Sequence, residues 1–156
     1  MKSEPERILI VGYGNELRSD DAVGRHAARE LGRGGFAAID VHQLAPELTE
    51  PLSEVDLVYF IDASTALAPG VVQVRAIEET SSGILDHHVA PGGLLRLCRE
   101  LYGRAPRALL ITIGGQSFEF GIGLSQPAMQ AVQEVVDRLR NSLPPSPCDS
   151  IGVSAK

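Results

Sequence analysis

Oxygen donors crowd one short stretch of this chain. Between Ile8 and Gly24, ILIVGYGNELRSDDAVG, the acids Glu16, Asp20 and Asp21 follow closely on Gly12 and Gly14. A further acid, Asp62, closes the apolar run that starts at Asp56, and Asp86 precedes a histidine pair, His87-His88. Oxygen and imidazole ligands drawn from three separate segments suit a borderline divalent ion such as nickel or zinc. Three protein ligands leave a coordination position open for water or for a group of the substrate. Paired acids have a second use: two carboxyls that share a proton can activate a water molecule. Plainer roles compete at each position. Asp20 and Asp21 are good helix-start residues, and acids suit the positive end of a helix dipole. A strand-end Asp such as Asp62 can cap the next turn, and a histidine pair in a polar segment can simply be solvated. Two other patterns carry less. Gly12-x-Gly14 lacks the third glycine of a dinucleotide loop, with Leu17 in its place, and an acid-lined loop repels pyrophosphate. Cys98 lies inside an apolar helical pattern with nothing to activate it.

The elements that must position these residues alternate between strand and helix. Arg7–Gly12 reads as a strand buried on both faces, and a helix is expected from Ser19 or Asp20 to Leu31, stopped by Gly32, Gly34 and Gly35. A second strand is expected over Ala37–His42, a short helical segment to Leu52, and a third strand over Asp56–Asp62. The link Ala63–Gly70 is too short for a parallel crossover, which needs about a dozen residues, so the strand Val71–Ile77 is expected to be antiparallel. Pro91 suits the first turn of a helix reaching Tyr102. Ala108–Ile113 is the fifth strand, and a glycine-rich loop, Gly114–Gly123, leads to a final helix capped by Ser125 and reaching Leu139. The fold class expected is α/β, a three-layer sandwich. Its sheet has about five strands, mostly parallel, with one antiparallel edge strand and helices on both faces. Ligands in such sheets bind beyond the carboxyl ends of the strands, where strand order reverses. If strand two lies outside strand one, strands one and three are neighbours and Asp21 and Asp62 share a cleft. The segment carrying His87 and His88 reaches that cleft only by folding over it.

The 156 residues suit one domain, 1–141, followed by a flexible Pro- and Ser-rich tail, 142–156. Two cysteines, Cys98 and Cys148, make neither a disulfide framework nor a zinc site. No signal-peptide pattern precedes the first strand and no apolar tract is long enough to cross a bilayer, so a cytoplasmic setting with no membrane partner is expected. A net charge of −6 argues against nucleic acid as the main partner.

The segment Gly12-Tyr-Gly14-Asn15-Glu-Leu-Arg-Ser-Asp20-Asp21-Ala-Val-Gly24 resembles the opening signature of the [NiFe]-hydrogenase maturation proteases, G-x-G-N-x-L-x-x-D-[DE]-x-x-G. Three further blocks agree in order. They are Asp62-Ala63 after an apolar strand, His87 with Pro91 and Leu94-Leu95, and the late loop with Ser117, Glu119 and Gly123-Leu124. Gln43-Leu44 and Pro46-Glu47-Leu48 resemble a segment of one branch of that family, and the resemblance spans Ile8 to Leu139. It implies a phosphorylase/hydrolase-like fold and a cytoplasmic endopeptidase. The substrate implied is a hydrogenase large-subunit precursor, which loses a C-terminal extension after nickel insertion. It also implies that Asp21, Asp62 and His87 form the catalytic and metal-binding triad, that the nickel arrives with the substrate, and that no organic cofactor is held. Asp21 stands where the family often has Glu, and His88 competes with His87, which has the better spacing to Pro91. Two other classes stay open at this level: a nickel-sensing partner that binds the precursor without cutting it, and a related hydrolase acting on another precursor.

Overall fold

The computed structural model describes residues 4–80 and 89–142. The apolar run at the start forms β1 (Ile8–Tyr13), whose backbone is covered on both faces. The 3-10 turn Ser19–Ala22 follows, and α1 (Val23–Arg33) returns the chain along the sheet. Next come β2 (Ala38–Val41), a 3-10 turn at Pro46–Leu48, the one-turn helix α2 (Thr49–Leu52) and β3 (Leu57–Ser64). The chain continues through β4 (Val72–Ile77), α3 (Pro91–Tyr102), β5 (Arg107–Gly114) and α4 (Gln126–Ser142). The expected tail beyond Ser142, with Cys148, lies outside the described residues, as do Asp86, His87 and His88.

The sheet order is β2-β1-β3-β5-β4, with β4 antiparallel to β5 and the other neighbours parallel. Strand alternation sends the side chains of β1 to opposite faces. Ile10 joins Val23, Leu31, Ile61, Ile113 and Val136 beneath α1 and α4. Leu9 and Val11 join Phe60, Leu94, Leu95 and Cys98 beneath α2 and α3. The result is three layers. Each large side chain so buried contributes about 1.5–3 kcal/mol, which explains why the central strands read as continuous apolar runs. Cys98 belongs to this packing: its thiol points at the carbonyl oxygens of Arg104 and Thr49, and burial pushes its pKa up.

One difference from the sequence reading bears on the site. The helix does not start at Ser19 or Asp20, and neither residue caps α1. The chain makes a 3-10 turn there instead, which leaves Asp20 buried and Asp21 at the mouth of the sheet.

The approach of α1 to the sheet depends on two glycines. A Cβ on Gly12 would lie 1.9 Å from the Gly24 carbonyl oxygen, and a Cβ on Gly24 would lie 2.1 Å from the Ile61 carbonyl oxygen. Both obstacles are backbone, so neither can rotate away. Gly24→Ala is therefore expected to destabilise the fold by about 3 kcal/mol in urea titration, the upper range for overpacking. Gly32→Ala is the control, because its Cβ would make an ordinary 3.5 Å contact with Ala38. The helix preference of Ala over Gly should leave that variant as stable as the parent or more so.

Candidate active site

Strand order reverses between β1 and β3: β2 lies on one side of β1, while β3 and β5 continue on the other. The carboxyl ends of these two strands open into a cleft of about 410 Å³. Its walls come from Tyr13 and Gly14 at the end of β1, Asn15 and Asp21 in the following loop, and Asp62 on β3. His42, Gln43 and Leu44 beyond β2 form one rim, and Val89, Ala90 and Pro91 at the head of α3 form another. The predicted meeting of Asp21 and Asp62 in one cleft is thus observed.

Asp62 is held at the cleft floor. Its Oδ1 accepts a hydrogen bond from the Ala63 N–H at 2.8 Å, and the Tyr13 phenol lies beside the same carboxyl. Burial pushes its pKa up to about 6, and the nearby charge of Asp21 adds to the rise. The Ala63 N–H and the neighbouring Tyr13 phenol pull the other way without cancelling it. The Tyr13 phenol is pushed up as well, first by burial and then by the Asp62 charge, so it remains a donor.

Asp21 is held from one side only. Its Oδ2 accepts from the Asn15 N–H at 2.7 Å, and among the described residues nothing donates to Oδ1. The turn that makes this contact requires glycine at position 14, where φ is +150° and a Cβ would lie 1.9 Å from the Asp21 carbonyl oxygen. Two carboxylates from different segments, each with one oxygen that no described residue engages, form an oxygen-rich donor set at an open cleft. Such a donor set suits a divalent ion with open coordination positions better than a closed structural site. Among the described residues no third metal-ligating side chain joins them. The expected third member, His87, lies outside those residues, as does its competitor His88.

The other acids of the first loop brace the site. Asp20 is fully buried, and its carboxylate accepts from the N–H groups of Gln116, Ser117 and Ser125 and from the Ser125 hydroxyl at 2.7–3.2 Å. Burial works to raise its pKa, but these donors, led by Ser125, outweigh it and hold the carboxyl below its usual range. Asp20 thereby ties the β1 loop to the glycine-rich loop after β5. Ser125 also receives the Ala128 N–H on its hydroxyl, as its expected capping role requires. Glu16 pairs with Arg29 and Arg25, which also hold Asp40 at the end of β2. Glu119 braces through its backbone, its carbonyl accepting from the Ser19 hydroxyl at 2.7 Å. Glu47 is exposed and does not line the cleft.

Sequence reasoning missed Tyr13, His42 and Gln43 as cleft residues. Each had a signal: all three stand just at or past the end of a strand predicted to open on the binding edge.

No protein-family model matches the chain. No curated protein matches it either. Solved structures do. The chain is similar to the [NiFe] hydrogenase maturation protease HybD from Thermococcus kodakarensis, with 27% identity and a TM-score of 0.69 over 86% of this chain and 97% of that one. It is similar to the hydrogenase maturating endopeptidase HybD from E. coli, with 26% identity and a TM-score of 0.68 over 87% of this chain and 93% of that one. This chain has the fold of the hydrogenase maturation proteases. HycI from Thermococcus kodakarensis, at 19% identity and a TM-score of 0.68 over 88% of this chain and 92% of that one, shares the fold. The likeness covers 86–88% of this chain and agrees with the family resemblance carried by the Gly12–Gly24 signature.

Proposed function

We propose that this protein is an endopeptidase that removes a C-terminal extension from a [NiFe]-hydrogenase large-subunit precursor once nickel is in place. The observation that carries this reading is the convergence of Asp21 and Asp62 in an open cleft, in a chain similar to proteins described as hydrogenase maturation proteases. In this reading Asp21, Asp62 and His87 meet the nickel that the precursor already holds, so the ion is part of the substrate. A water held by one of the two carboxylates, which takes its proton, attacks the scissile carbonyl. The Ala63 N–H on Oδ1 holds the Asp62 carboxyl, leaving its other oxygen for that water. The C–N bond of the tetrahedral intermediate then breaks, the leaving amine takes the proton from that carboxyl, and the short peptide departs. No described helix is long and apolar enough to cross a membrane, and a cytoplasmic site of action is part of the proposal.

The test is the intact mass of a nickel-loaded large-subunit precursor after incubation with this protein, beside a nickel-free sample. Loss of a short C-terminal peptide in the loaded sample alone is the expected result. An unchanged mass with a stable complex would overturn the protease reading in favour of a nickel-sensing partner.

A further inference from the structure

Beside the cleft, three large apolar side chains stand in solvent. Phe120 is 80% exposed, Ile122 86% and Leu17 51%. They are not on a loose loop. Leu17 and Ser19 bracket Gly121 in a short parallel bridge: the Gly121 N–H donates to the Leu17 carbonyl at 2.8 Å and the Ser19 N–H to the Gly121 carbonyl at 2.9 Å. The Ser19 hydroxyl on the Glu119 carbonyl locks the same ribbon, and Ser19 holds a left-handed φ of +51° to do so. Such a residue persists only where its surroundings hold it there. Apolar groups held out of the core by an ordered backbone mark an interaction surface.

A groove of about 230 Å³ runs beside the ribbon, bounded by Glu16, Leu17, His26, Ile122 and Gly123. Its polar groups are already satisfied or neutral. Glu16 is compensated by Arg25 and Arg29, and burial pushes the pKa of His26 down. The guest this groove suits is therefore uncharged. One loop supplies a wall to both: Asn15 and Asp21 line the cleft, and Glu16 and Leu17 between them in sequence line the groove, so a chain seated at the cleft passes close to the ribbon.

We infer that the Leu17–Phe120–Ile122 ribbon and its groove seat an apolar side chain of the same precursor polypeptide that the cleft cuts. The inference rests on the protease reading. It makes the ribbon a binding element that positions the chain without touching the reacting atoms. The experiment compares steady-state processing of the nickel-loaded precursor by the full chain and by the double variant Phe120→Ser/Ile122→Ser. KM is expected to rise about tenfold or more with kcat within about twofold, the pattern of lost uniform binding. Phe120→Leu/Ile122→Val should restore KM. Both variants alter exposed side chains, and thermal melts matching the parent will verify folding. An unchanged KM in the double variant, with the parent active, would overturn the inference and leave the protease reading intact. A parent that cuts no precursor would end both. Sedimentation supplies a further outcome: a parent dimer that dissociates in the double variant would assign the ribbon to a second copy and overturn the inference.

Discussion

Asp20→Ala is expected to cost about 3–5 kcal/mol of folding stability, the range for removing one partner of a buried charged network. The loss follows from the donors left behind. Three backbone N–H groups and one hydroxyl, from Gln116, Ser117 and Ser125, converge on this single carboxylate. They lie where solvent cannot replace it, since Asp20 is completely buried. Asp20→Asn should fail to rescue the fold. A carboxamide offers one oxygen, and its NH2 would face donors where an acceptor is needed. Equilibrium urea unfolding of the parent and both variants checks this. A loss below about 1 kcal/mol in Asp20→Ala would mean that the two loops hold together without the carboxylate.

That network shows where sequence reasoning reaches its limit. The sheet was legible because its causes are local. The apolar run of β1 announces burial on both faces, and the short link before β4 excludes a parallel crossover. The sharing of a cleft by Asp21 and Asp62 was legible too, since strand order and the carboxyl-edge rule together bring them there. Asp20 was not. Next to Asp21 and before an apolar helix, it reads as a helix cap, whereas its partners lie 96 to 105 residues away. No local pattern reports contacts at that separation. Glu16 was an intermediate case. The crowding of acids drew attention to it, but its partners Arg25 and Arg29, four residues apart on α1, were not read from the sequence.

Replacing either cleft carboxylate should have the largest effect on function. Asp21→Ala, Asp62→Ala and His87→Ala are each expected to lower precursor processing about a thousandfold, within the range attributed to positioned acid–base groups. Glu47→Ala, an exposed acid outside the cleft, should process at the parental rate. Two measurements separate the roles that the carboxylates combine. If they meet the nickel of the precursor, each variant binds the loaded precursor more weakly while its affinity for the nickel-free form stays the same. If a carboxylate only activates water, affinity for both forms is kept and the single-turnover rate alone falls. Asp21, with one oxygen that no described residue engages, is the member expected to lose nickel-dependent affinity. Asp62, buried on the cleft floor with its pKa pushed up to about 6, is the better proton acceptor and the member expected to lose rate. Parental processing by both Asp21→Ala and His87→Ala would remove the triad assignment. The fold would still be that of a maturation protease, but its chemistry would have to come from another group in the cleft, and His42 on the opposite rim would be the first to replace.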